Sequence, residues 1–113
     1  MHELALSESI VDLVVNCARQ ERIARISRVV VEIGVAAAVE PQALEFCFSI
    51  TAADTAAASA ELVINRIGLQ ASCDDCGSHY APETLISPCP ACGSFARNLL
   101  AGREMRVVSF EGE

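Results

Sequence analysis

Apolar residues recur at a helical period through the first twenty positions. Leu6, Ile10, Leu13, Val14 and Cys17 share one face of a helix predicted over residues 4–20, and Glu8, Asp12, Asn16 and Arg19 take the other. The period then changes. From Ile26 to Gly34 the chain is β-branched and alternating, with Val29, Val31 and Ile33 on one side and Arg28 and Glu32 among those on the other. That pattern predicts a strand ending at Gly34. Pro41, after Glu40, sits where helices favour their first residue, and Leu44, Cys47, Phe48 and Thr51 continue as a second helical stripe. The Ala-rich residues 52–60 suit a loop or a short helix equally. Ala60–Ile67 reads as a second strand and Arg103–Phe110 as a third, with Met105 and Val107 facing one way.

Between the last two strands, Cys73, Cys76, Cys89 and Cys92 form a C-x2-C-x12-C-x2-C frame, and each pair runs into a glycine, Gly77 or Gly93. Two thiolate pairs on tight turns are what a tetrahedral soft-ligand metal requires. The glycines tolerate the backbone conformation that aims amide N–H groups at the sulfurs. Zinc in four thiolates is redox-silent and structural, whereas iron in the same set makes an electron carrier. The turns resemble rubredoxin knuckles, so a rubredoxin-like iron electron carrier is the alternative. Rubredoxins separate their pairs more widely and pack aromatic rings around the iron; here the connection carries only Tyr80 and the chain has no Trp. Zinc is the expected ion. His79 offers a substitute ligand, although a solvated loop histidine is the plainer reading.

The element order is thus α-β-α-β, the cysteine module, then β. The expected fold is α+β: two helices packed on a three-stranded sheet, with an inserted four-cysteine zinc-ribbon-like domain. The boundaries place 1–67 plus 103–113 in one domain and 68–102 in the insert. Cys17 and Cys47 lie on apolar helical faces, where a free cysteine behaves as a small hydrophobe, and are not expected to be ligands.

Composition narrows the function classes. Hydrophobic residues make up 52% of the 113 positions, so a core exists outside the frame, yet no apolar run approaches membrane-spanning length. The chain opens Met1-His2-Glu3 rather than on an export signal, and its six cysteines then suit a reducing cytosol, as ligands rather than bridges. The net charge of −7 repels nucleic acid, and the scarcity of aromatic residues near the frame argues against a nucleic-acid-binding zinc ribbon. Arg19, Arg22, Arg25 and Arg28 cluster, as a solvated helix end and strand start would. No G-x-S-x-G, phosphate-binding glycine loop or H-E-x-x-H is present, so no enzyme and no membrane role is expected.

The N-terminus holds a second constellation. The α-amine, the amide nitrogen of residue 2 and the His2 imidazole can close adjoining chelate rings around one ion, with Glu3 in reach as a fourth donor. Nitrogen-rich, nearly planar donor sets suit Ni(II) or Cu(II). A solvated surface histidine fits the same residues, and on chemistry alone both readings stand.

Met1-His2-Glu3 followed at once by an amphipathic helix resembles the start of the HypA/HybF proteins, nickel-insertion accessory factors of NiFe-hydrogenase maturation. The resemblance runs on through Val31-Glu32-Ile33-Gly34, Val39-Glu40-Pro41, Leu44-Glu45-Phe46, Thr55, Ala60-Glu61-Leu62, both cysteine pairs and Gly102-Arg103-Glu104-Met105. It implies a nickel-binding α/β domain with an inserted zinc domain, His2 as nickel anchor with Glu3 beside it, and structural zinc on Cys73, Cys76, Cys89 and Cys92. It also implies delivery of Ni(II) to the hydrogenase large-subunit precursor alongside a GTP-hydrolysing nickel accessory protein. A homodimer is left open by the residues.

Overall fold

The computed structural model describes residues 2–113, and the α+β class expected from the sequence is the class observed. The order is α1 (His2–Gln20), β1 (Ile26–Gly34), a 3-10 turn (Val35–Ala37), α2 (Pro41–Thr51), β2 (Glu61–Ile67), β3 (Gln70–Cys73), β4 (His79–Tyr80), β5 (Arg97–Ala101) and β6 (Met105–Gly112). Three strands form one sheet in the order β2-β1-β6, and three short ones form another in the order β4-β3-β5. Two compact units result: residues up to Glu32 with Val39–Asn65 and Arg106–Glu113, and Ile33–Ala38 with Arg66–Met105.

In the first unit α1 packs on α2, and its phase corrects the expectation. The buried residues are Ser7, Ile10, Val11, Val14 and Ala18. Leu13, placed in the expected stripe, is half exposed at 50%, and Leu6 and Cys17 are only partly covered. The helix also begins at His2, two residues before its expected start. Small side chains at positions 7 and 18 explain the rotation, because they allow close approach at both ends of the face. The Ser7 hydroxyl is not left unsatisfied: it donates to the Leu4 carbonyl at 2.9 Å, and Thr51 Oγ1 of α2 lies 3.2 Å from it.

Helix α2 starts where Pro41 predicts. Glu40 is its N-cap, its carboxylate accepting from the Gln42 amide at 3.1 Å. Leu44 and Phe48 are buried, while Cys47 and Thr51, the other members of the expected stripe, are partly covered. The Ala-rich segment resolves as turns: Ala56 accepts from the Ile26 amide, and Ala52 and Ala57 are buried.

Strand β1 forms as the alternation predicts, with Val29, Val31 and Ile33 buried. Each contributes about 1.5–3 kcal/mol by leaving water. Its charged residues pair along the sheet: Arg28 Nε with Glu61 at 3.2 Å, and Arg106 Nη2 with Glu32 at 2.6 Å. These exposed pairs add about 0–1 kcal/mol each and chiefly satisfy the outer face. The third strand starts at Met105, not Arg103, because Gly102–Glu104 makes a turn: Gly102 has φ +120°, and its amide donates to the Glu104 carboxylate at 2.8 Å. No described helix is long and apolar enough to cross a membrane.

The second unit carries the β4-β3-β5 sheet, whose strands are antiparallel. Ser72 faces His79 across one ladder and Asn98 across the other. Strand β3 ends on Cys73, so the sheet itself delivers the first cysteine.

Candidate functional site

The four cysteines converge. Their sulfurs all lie within 4.8 Å of one another, with Cys73 and Cys89 buried and Cys76 and Cys92 exposed. Cys73 and Cys92 Sγ are 3.5 Å apart, and Cys76 and Cys89 Sγ 3.7 Å. A tetrahedron with metal–sulfur arms of about 2.3 Å has edges of about 3.8 Å, so these spacings fit a zinc-sized ion with four thiolates. Among the described residues no histidine or carboxylate joins the four cysteines in the cluster; His79 lies on the exposed side of β4.

Both turns are built alike. Gly77 donates to the Cys73 carbonyl at 3.0 Å and Gly93 to the Cys89 carbonyl at 2.7 Å. The Cys73 and Cys89 amides reach the Ser78 and Ser94 carbonyls, each at 2.8 Å. Both glycines sit at φ +78°, which a side chain would strain. Ser78 and Ser94 follow these glycines. Ser78 Oγ is 3.3 Å from Cys76 Sγ, whereas the Ser94 hydroxyl bonds the Asp75 carboxylate of the opposite turn. The Ser78 hydroxyl, and then its amide, pull the Cys76 thiol down to about 6. At Cys92 the Ser94 amide also pulls down, but the Cys73 thiol, burial and the other two thiols push the group up to about 12. A set of crowded sulfurs that favours early loss of one proton is suited to a cation.

His2 and Glu3 are the first two described residues of α1. His2 Nε2 lies 3.5 Å from Glu3 Oε2, with the two side chains 51% and 15% exposed. The same carboxylate accepts from the Glu40 backbone amide at 3.1 Å, which ties the start of α1 to the start of α2. The Glu40 amide, and after it Glu3's own, hold the Glu3 carboxyl below its ordinary value, and His2 assists. Met1, whose α-amine the expected chelate needs, lies outside the described residues. Cys17 and Cys47 stay out of the cysteine cluster.

Four residues near these sites, Glu40, Ser78, Asp75 and Ser94, were not assigned to a site from sequence. Glu40 holds Glu3, Ser78 bonds Cys76, and Asp75 spans to Ser94. The repeated Cys-Gly-Ser was a visible signal for the serines; nothing local announced a contact between Glu3 and Glu40, 37 positions apart.

A family model described as hydrogenase/urease nickel incorporation, metallochaperone, HypA matches residues 1–112. A hydrogenase maturation factor HypA of Geotalea uraniireducens is 37% identical over 113 residues, covering 100% of both chains. One from Rhizobium leguminosarum bv. viciae is 39% identical over 111 residues, covering 98% of each. Among solved structures, the solution structure of the Ni metallochaperone HypA from Helicobacter pylori matches with a TM-score of 0.69 at 26% identity, covering 97% of this chain and 96% of that one. A second HypA solution structure matches at a TM-score of 0.76 and 28% identity, covering 100% and 97%.

Proposed function

The chain belongs to the HypA family of nickel metallochaperones for hydrogenase maturation, and on that footing we propose that it carries Ni(II) at its N-terminus and hands it to the NiFe-hydrogenase large-subunit precursor in the cytosol. The observation that carries this reading is the arrangement at His2: an imidazole beside a carboxylate that the Glu40 amide already holds in place. In this reading His2 is the anchor, its imidazole and amide nitrogens serving with the α-amine as donors. Glu3 orients the imidazole and offsets the partial positive charge of the helix N-terminus, which otherwise opposes a cation. The first amides of a helix have no carbonyl partner one turn back, so recruiting them to an ion breaks no helical bond.

A carrier must select its ion and still release it. Exposed nitrogen and oxygen donors at a chain end meet that need, whereas a closed shell of four thiolates does not. Cys73, Cys76, Cys89 and Cys92 accordingly hold structural zinc, which supplies folding energy and no open coordination position. The partners in this reading are the precursor and a GTP-hydrolysing nickel accessory protein, and the chain performs no catalysis of its own.

The test is calorimetric titration of Ni(II) into the zinc-loaded chain and its His2→Ala variant. The variant is expected to lose nickel binding while keeping its zinc and its circular dichroism spectrum. Unchanged nickel affinity removes His2 from the site.

A further inference from the structure

The two cysteine turns are near copies, and they differ at one point that bears on the exposed sulfurs. Each reads Cys-x-x-Cys-Gly-Ser, at 73–78 and 89–94. Each has glycine at φ +78°, the same pair of backbone bonds, a buried first cysteine and an exposed second one. The serine hydroxyls diverge. Ser78 Oγ lies against Cys76 Sγ at 3.3 Å. Ser94 Oγ donates to the Asp75 carboxylate and accepts from the Ala96 amide at 3.0 Å. The cause lies in the spacers, Asp74-Asp75 in the first turn and Pro90-Ala91 in the second: only the first offers a carboxylate that captures the other turn's serine.

When an ion has displaced the thiol protons, the Ser78 hydroxyl donates to the Cys76 thiolate and draws electron density from it. Among the described residues no hydroxyl does this for Cys92. The two solvent-facing thiolates are therefore unequal: Cys92 is the more electron-rich. Its Sγ also lies 3.5 Å from that of buried Cys73, against 3.7 Å between Cys76 and buried Cys89.

Resting on the reading of this cluster as a zinc centre, we infer that Cys92 is its oxidation site and that hydrogen peroxide opens the centre there through a Cys92–Cys73 disulfide. The Cys92 thiolate attacks one peroxide oxygen. The O–O bond breaks, hydroxide leaves, and the metal–sulfur bond gives way to a sulfenic acid. The Cys73 thiolate then attacks the sulfenic sulfur, an S–S bond forms, and a second hydroxide departs. Two thiolates are oxidised by two electrons, one peroxide is reduced to two hydroxides, and the ion keeps only Cys76 and Cys89. The captive hydroxyl of Ser94 makes Asp75 the residue that sets this asymmetry.

The experiment uses the full chain, with zinc per chain measured first by plasma emission. Peroxide is added in limiting pulses without reductant, released zinc is read with a chromophoric chelator, and disulfides are mapped by mass spectrometry after trapping free thiols. The expected result is a Cys73–Cys92 disulfide forming in step with zinc release. In a parallel arm, substoichiometric N-ethylmaleimide labels Cys92 several-fold ahead of Cys76. Ser78→Ala brings Cys76 up to the labelling rate of Cys92, and Ser94→Ala leaves Cys92 ahead. Labelling of Cys76 first, or a Cys76–Cys89 disulfide in the wild-type chain, overturns the inference while leaving the zinc reading intact. A chain that holds no zinc removes both.

Discussion

Replacing Gly34 by alanine tests whether space, rather than backbone freedom, fixes glycine at the end of β1. Gly34 has φ −71° and ψ 149°, a conformation any residue adopts. By conformational entropy alone the substitution would stabilise the chain by about 0.4–1 kcal/mol. The packing says otherwise. A Cβ there would lie 2.0 Å from the Gly102 carbonyl oxygen, 2.1 Å from its carbon and 2.6 Å from the Arg103 nitrogen. These are backbone atoms with no rotamer to yield, and both chains are anchored at the crossing. Gly34 N donates to the Glu104 carbonyl at 2.8 Å and Ala36 N to the Gly102 carbonyl at 2.7 Å. Overpacking costs about 1–3 kcal/mol. Two weakened backbone bonds add about 0.5–1.5 kcal/mol each. After the entropic gain, a net loss centred on about 3 kcal/mol, within about 1–5, is expected, a large share of a stability of about 5–15 kcal/mol. Urea unfolding of the metal-loaded protein reads this as a midpoint lowered by about 1 M or more with an unchanged slope. Gly68→Ala, where an added Cβ meets nothing within 4 Å, is the control and should keep the entropic gain alone, with a midpoint slightly above wild type. A midpoint for Gly34→Ala equal to or above wild type would refute the steric reasoning.

Two further outcomes follow from the same geometry. The Tyr80 hydroxyl is buried with no hydrogen-bond partner among the described residues, so Tyr80→Phe should be neutral or stabilising by up to about 1–2 kcal/mol; denaturation at fixed zinc content checks it, and a loss above about 1 kcal/mol speaks against it. The Glu3 carboxyl is held below its ordinary value, so its contribution to stability is full above about pH 4.3 and is lost as pH falls through the lowered folded value. Thermal midpoints of wild type and Glu3→Gln should therefore differ at pH 7 and converge in acid; a gap that persists there would count against the Glu3–Glu40 link.

What the sequence revealed depended on how local each signal was. Strand β1 alternates so strictly that its bounds and buried side follow from pattern alone, and Pro41 marks the start of α2. The cysteine spacing with its glycines announced the turns. The phase of α1 was harder, since apolar residues occur on more than one of its faces and Leu13 competes with Val11. What decided it was the fit of Ser7 and Ala18 against their surroundings, a tertiary matter. Strands of two to five residues such as β4 and β5 carry too little pattern to read. The Glu3–Glu40 link joins positions with no local relation, and Asp75 bonding Ser94 depends on how two turns face one another.

The crossing at Gly34 also bears on how the chain reaches its fold. Strands β1 and β6 are neighbours, yet roughly seventy residues separate them, and closing a floppy loop of that size costs about 4 kcal/mol before any pairing repays it. Gly34 bonds Glu104, Ser27 bonds Glu111, and Arg25 bonds Glu113, so the two strands run antiparallel from the module outward. An ion that joins Cys73 to Cys92 shortens that loop by roughly twenty residues and lowers the closure cost by only about 0.3 kcal/mol, because α2 and β2 still lie between Gly34 and the cysteine frame. In kinetic terms the pairing of β1 with β6 is a long-range event whether or not the ion is bound, and the central strand gains its second neighbour only after distant parts of the chain have met.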